Sequence, residues 1–152
     1  MSSEHDCLVR YVKSHANKIF GEDGFQLQEN VELPASENRA GNVMPVKPDL
    51  IGRDSQGNIV IVEVKPRLLK EDFKHYNAEI CRGVGQVLQS ACAKIRQRPA
   101  GFNSSPTALS EFTKQLRLFI VSPDASQELQ EICEMLRSTG WNIHFISISV
   151  GS

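Results

Sequence analysis

Pro48-Asp49-Leu50-Ile51-Gly52-Arg53-Asp54-Ser55-Gln56-Gly57-Asn58-Ile59-Val60-Ile61-Val62-Glu63-Val64-Lys65 is the stretch that decides how the rest of this chain is read. From Asn58 onward it is an almost unbroken apolar, β-branched run, the pattern of a strand buried on both faces. Charged residues are rarely buried unless paired or bound to metal, so Glu63 and Lys65 at the end of such a strand call for a reason. Side chains alternate along a strand, which puts Glu63 and Lys65 on one face and Val62 and Val64 on the other.

Ser55-Gln56-Gly57 suits a three-residue hairpin loop, a type I turn closed by a glycine in the left-handed region. That register pairs residue 54 with residue 58 and, counted back, sets Asp49 opposite Glu63. Two carboxylates facing each other on an antiparallel pair sit roughly 5 Å apart at Cβ and repel unless a cation lies between them. A hard divalent ion such as Mg²⁺ takes oxygen ligands and keeps several waters, so two carboxylates, a backbone carbonyl and waters suit it. Lys65, one same-face step beyond Glu63, would orient or deprotonate a water, or stabilise charge on a phosphate. The blander alternative is a rim salt bridge between Glu63 and Lys65, with Asp49 a turn residue after Pro48.

Together these residues resemble the PD-(D/E)xK nuclease superfamily, with its restriction-endonuclease-like fold. Their order is similar to that in NucS-type mismatch and branched-DNA nucleases and in virus-type replication-repair nucleases: Asp49 to Asp54, Gly57, the apolar strand with Glu63-Val64-Lys65, then Gly85-Gln86-Val87-Leu88. The resemblance implies that Asp49 and Glu63 bind the catalytic metal, Mg²⁺ or Mn²⁺, and that the Val64 carbonyl is an additional ligand. It implies that Lys65 assists the attacking water and that Gln86, on the following helix, stands near the active site. Many relatives add an acid from the first helix, and Glu4 is the candidate here. Ser90 stands where many relatives carry a tyrosine.

The chain has 152 residues, enough for one domain with a single core, so 1–152 is read as one nuclease-like domain. Hydrophobic residues make up 40% and charged residues 23%, which places it among ordinary globular proteins and excludes disordered and fibrous classes. No run is long enough to span a bilayer and no signal-peptide core lies near Met1, so the expectation is a cytoplasmic protein with no membrane partner. Cys7, Cys81, Cys92 and Cys133 lack the spacing of a structural zinc site and read as buried, reduced thiols in helices.

A net charge of −1 does not by itself suggest a nucleic-acid binder. Cations nevertheless cluster after the motif strand, at Arg67, Lys70, Lys74 and Arg82, and a local basic face of that kind contacts phosphates. For any one of them, a solvated helix face is the alternative.

Along the chain, Leu8, Val12, Ala16 and Ile19 recur at helical spacing, with Ser3 and Asp6 as a capping signal and Gly21 as the stop. Residues 25–33 read as a first strand, 34–47 as a polar loop, and 46–53 with 58–65 as the hairpin. A long helix follows over 72–98, then a loop rich in Gly, Ser and Pro over 100–110. A strand over 116–121, a helix over 126–139 and a strand over 141–150 complete the order α-β-β-β-α-β-α-β. That order predicts an α/β domain, a mixed sheet in three layers with helices on both faces.

The function expected is therefore metal-dependent hydrolysis of DNA phosphodiester bonds, by an endonuclease of repair, defence or mobile-element processing. Double-strand cleavage would need a symmetric homodimer or a second binding event, and a further reading is a subunit of a larger defence, transposition or repair assembly whose protein partner supplies specificity. The alternative is a catalytically inactive nucleic-acid-binding or scaffolding domain of a larger assembly.

Overall fold

The structure, a computed structural model, describes residues 3–37, 43–68, 72–96 and 106–148. Twelve elements follow one another: α1 (Glu4–Ser14), α2 (Ala16–Phe20), β1 (Gln26–Gln28), β2 (Leu33–Glu37), β3 (Val43–Val46), β4 (Leu50–Arg53), β5 (Ile59–Val64), α3 (Phe73–Arg96), α4 (Pro106–Lys114), β6 (Leu116–Ser122), α5 (Gln127–Ser138) and β7 (Ile143–Ser147). Five strands form one sheet in the order β1-β4-β5-β6-β7. The pairs β1·β4 and β4·β5 are antiparallel, whereas β5·β6 and β6·β7 are parallel. The sheet is mixed because a tight turn joins β4 to β5, while helical crossovers bring β6 and β7 back alongside in the same direction.

The turn has the expected form. The Gly57 N–H donates to Asp54 O, the Asp54 N–H donates to Asn58 O, and Gly57 has φ 82°. Pairing then runs Arg53↔Ile59 to Leu50↔Val62.

Each face of the sheet carries its own core. Leu50, Val60, Val62, Val64, Phe119 and Val121 pack against Leu8, Val9 and Val12 of α1. Ile61, Leu118, Ile120 and Phe145 pack on the other side against Ile80, Val87 and Ala91 of α3 and Leu129 and Cys133 of α5. Three layers result, and β5 is covered on both faces.

At one edge, backbones approach so closely that only glycine fits. A Cβ built on Gly52 would lie 1.7 Å from Gln26 O, so β1 sits against β4 through that missing side chain.

Several expectations are corrected. The strand expected over 25–33 is only Gln26–Gln28, because the chain turns at Asn30, whose φ is 59°. The segment expected as a loop over 34–47 holds β2 and β3, a separate antiparallel ribbon in which Pro34 faces Pro45. A two-stranded ribbon leaves each strand an unpaired edge, where a proline without an N–H is tolerated. The first hairpin strand starts at Leu50, not Val46, because the chain breaks at Lys47-Pro48-Asp49. The first helix is interrupted at His15 before Gly21 ends α2 with φ 72°. Part of the loop expected over 100–110 is α4, which begins on Pro106, a residue suited to the first helical turn. Cys7, Cys81 and Cys92 are exposed, and only Cys133 is buried. Lys70 and residues 97–105 lie outside the described residues.

Candidate active site

The ends of β4 and β5 set the site. Asp49 stands one residue before Leu50, whose partner is Val62, so the same register carries Asp49 opposite Glu63. Asp49 Oδ2 accepts the Val64 N–H at 2.7 Å, which pins the carboxylate to the end of β5. Its other oxygen, Oδ1, lies 3.0 Å from His5 Nε2 on α1.

Glu63 is 4% exposed. Burial lifts its carboxyl to a pKa of about 9; the charge of Asp49 and a hydrogen bond between the two carboxyl groups add to the rise, and Lys65 offsets it only in part. Two carboxyl groups thus meet in a place short of positive charge. At neutral pH the pair holds a proton that a cation would displace.

Lys65 continues past the strand, its N–H donating to Val121 O at 2.8 Å. Its side chain is 7% exposed and turns to α3. Nζ donates to Gln86 Oε1 at 2.9 Å and lies 3.6 Å from Glu79 Oε2. Gly83 stands between these two on the same stripe of α3, and a Cβ there would come within 3.3 Å of Lys65 Cε. Glu79, Gly83 and Gln86 therefore form a cradle at i, i+4 and i+7, one face of a helix. Glu79 also takes Arg82 Nη1 at 3.2 Å.

A cavity of about 130 Å³ opens beside Glu63, bounded by Val46, Lys47, Gln86 and Ser90. The Ser90 hydroxyl is fully buried and has no hydrogen-bond partner among the described residues. The space is polar and large enough for water.

The donors present suit a hard divalent ion. Among the described residues no three His, Cys, Asp or Glu side chains converge on one point, so side chains alone would not fill a coordination shell. Two carboxylates, main-chain oxygen and water are the donor set of Mg²⁺ or Mn²⁺, and the charge deficit at Glu63 is what such an ion would relieve.

Asp49, Glu63, Lys65 and Gln86 are brought together. Val64 meets Asp49 through its N–H, whereas its carbonyl is the group expected as a ligand. Glu4, expected as a further acid, has both carboxylate oxygens 3.1 Å from Arg67 Nε at the exposed rim. Arg67 is occupied by that pair, Arg82 by Glu79, and Lys74 is exposed. The sequence reading missed His5 and Glu79. Glu79 was legible as the residue seven before Gln86 on one helical stripe. For His5 the sequence offered no choice between neighbours in the first turn, since only the packing angle of α1 brings it to Asp49.

Neither a protein-family model nor a curated protein sequence matches this chain. Solved structures do. EndoMS in a dsDNA complex matches with a TM-score of 0.51 and 16% identity, covering 97% of this chain and 46% of the other. EndoMS in its apo form matches with a TM-score of 0.51 and 16% identity, covering 100% of this chain and 49% of the other. A repair endonuclease from Pyrococcus abyssi matches with a TM-score of 0.45 and 19% identity, covering 97% of this chain and 47% of that one. The chain spans about half the length of these proteins. The likeness to EndoMS is one of fold.

Proposed function

We propose that this chain is a metal-dependent nuclease of the PD-(D/E)xK kind, hydrolysing phosphodiester bonds in DNA. The observation that carries the reading is the Asp49–Glu63 pair: two carboxyl groups in hydrogen-bond contact at the end of a buried strand, one of them raised to a pKa of about 9 by burial and by the other's charge. A solely structural role gives no reason to keep such a pair, since one carboxylate and a neutral side chain would fold with less conflict.

Asp49, Glu63 and the Val64 carbonyl would hold Mg²⁺ or Mn²⁺. Bound there, the ion supplies a water of lowered pKa and neutralises charge on the phosphate. The chain's own groups do the rest. Val64 N–H and His5 Nε2 fix the rotation of the Asp49 carboxylate. Gln86 and Glu79 hold Lys65 Nζ where it would orient or deprotonate the attacking water, or meet charge developing on a phosphate oxygen. Water has room beside Glu63 in the 130 Å³ cavity.

The fold shared with EndoMS supports DNA as the substrate class and repair as one setting, with defence and mobile-element processing as others. A single site of this kind cuts one strand, so duplex cleavage would call for a homodimer or a second binding event, while a protein partner would supply specificity. Among the described residues no helix is long and apolar enough to cross a membrane, and a cytoplasmic setting is part of the proposal. The test is a panel of end-labelled DNA and RNA forms incubated with Mg²⁺, Mn²⁺ or EDTA. Cutting of DNA with either metal and none in EDTA is expected; full activity in EDTA would remove the mechanism.

A further inference from the structure

Two of the four cations expected to face nucleic acid are paired, Arg67 with Glu4 and Arg82 with Glu79. The opposite flank of Asp49 differs. There a cavity of about 340 Å³ opens between α1 and the turns at 29–30 and 47–49, walled by His5, Arg10, Asn30, Lys47 and Asp49 among others. Arg10 and Lys47 are both exposed, and among the described residues neither takes part in an ion pair. Three acids share the wall: Asp49, held by the Val64 N–H, and Glu29 and Asp6, each near a basic side chain, with Asp6 sharing His5 with Asp49. Glu29 Oε2 lies 3.9 Å from Lys13 Nζ, and Asp6 Oδ1 lies 3.7 Å from the His5 imidazole. Asn30 reaches the wall from a turn with φ 59°, a conformation asparagine tolerates better than most residues, and its amide can both donate and accept.

We infer that this cavity is a subsite for the substrate strand next to the scissile bond, with Arg10 and Lys47 on a flanking phosphate and Asn30 beside the adjoining sugar or base. The inference rests on the nuclease reading and adds which face the strand follows. Its physical basis is continuity. Asp49 belongs both to the carboxylate pair and to the cavity wall, so a phosphate held at the pair leaves its neighbour within reach of this pocket. Unpaired cations beside such a position lower the energy of the polyanion without having to break an existing ion pair.

The experiment measures anisotropy of fluorescein-labelled duplex and single-stranded DNA on the 152-residue chain carrying Lys65→Met, which is expected to suppress cutting. Arg10→Gln, Lys47→Gln and the double variant are compared across a salt series, with Lys18→Gln on α2 as a control outside the cavity. Each cavity substitution should flatten the log Kd against log salt slope by about 1, and the double variant should bind on the order of 10-fold more weakly. In proteins with Lys65 restored, the double variant should raise KM while kcat stays near its usual value. An unchanged slope and Kd in the double variant, on a parent that binds DNA, would overturn the subsite and leave the nuclease reading standing. An equal loss with Lys18→Gln would overturn it too, because the effect would then be general charge. A parent that binds no DNA, from a wild type that cuts none, would bring down the nuclease reading and the subsite together. Circular dichroism melts of each variant separate these outcomes from misfolding, and both positions are exposed enough for substitution to leave the core intact.

Discussion

One hairpin carries a buried carboxylate at each end, and the two are treated in opposite ways. At the turn, Asp54 is 7% exposed, and burial alone would raise its pKa. Asn58, Arg117 and the Gln56 N–H outweigh that, and its carboxyl is held below the usual range. Arg117 closes the arrangement by also gripping Glu22 at 2.7 Å and lying 5.5 Å over the rings of Phe25 and Phe119. At the other end, Glu63 is 4% exposed; burial first, and then its neighbour Asp49, raise its pKa to about 9. A fold that can satisfy one acid with four donors does not leave the other in conflict for lack of means. On the proposed nuclease reading, the contrast would separate a charge kept for stability from one kept for chemistry.

The largest expected effect lies at the unsatisfied end. Lys65→Met should cut the cleavage rate by about 10²–10⁴ while the thermal melt stays close to that of the wild type, because methionine keeps the stem's packing and removes only the ammonium. Near-normal cutting would make Lys65 a rim residue, and a collapsed melt would make it structural.

At the satisfied end the same kind of deletion should do the reverse. Arg117→Ala leaves Asp54 buried without its cation and should destabilise the protein by about 3 kcal/mol in urea unfolding, with any fall in activity following the unfolded fraction. A loss of activity in fully folded protein would break the division between the two ends.

The ends should also differ in the sign of their pH dependence. Asp54 has a lowered pKa, so its contribution is present above about 3.8 and is lost as pH falls through the folded value. Glu63 has a raised pKa, so its contribution is complete below 4.5 and is lost as pH rises towards about 9. Metal-free protein should therefore lose stability as pH rises from about 4.5 to about 9, by at most ~1.4 kcal/mol per pH unit for one group. Glu63→Gln should flatten the slope and raise the melting temperature at pH 8. Added Mg²⁺ should stabilise the wild type at that pH and the variant far less. A flat wild-type profile would show the pair to be satisfied after all.

The smallest effect is expected beside the lysine. Gly83→Ala places a methyl 3.3 Å from Lys65 Cε, so Nζ must shift within its cradle. Cleavage should fall by about 10-fold with little change in stability, since alanine favours a helix over glycine. Glu79→Gln, which keeps the shape of the cradle, should leave the melt unaltered and lower kcat without raising KM.

The register of the hairpin was legible because Ser55-Gln56-Gly57 admits few turn geometries, and a one-residue slip would have turned Glu63 to the other face. The buried strands and long amphipathic helices were legible for the same reason: periodicity fixes them. The ribbon of β2 and β3 was not, since Pro34 and Pro45 argue against strands unless each has an edge to spare. Nor was α4, whose opening proline closes a stretch that by composition reads as loop. In the candidate site, the grouping of Asp49, Glu63, Lys65 and Gln86 followed from motif and register, while His5 and Glu79 reach Asp49 and Lys65 from elements distant in sequence. The cysteines misled because residue type was allowed to outweigh helical phase; Cys7, Cys81 and Cys92 lie off the apolar stripe.

Gly52 carries a consequence for how this protein can vary. Its missing side chain lets β1 lie against β4, and β1 leads directly into the turn at Glu29 and Asn30 that walls the larger cavity. Of the twenty residues, nineteen would put an atom where Gln26 O already is, so a saturation library selected for folding should return glycine at 52. At Gly85, where an added Cβ meets nothing within 4 Å, the same library should spread widely and gather on alanine and other helix formers. Two glycines a helix apart would thus mark the extremes of mutational freedom in one small domain: one immovable because a neighbouring backbone fills its place, the other open to replacement.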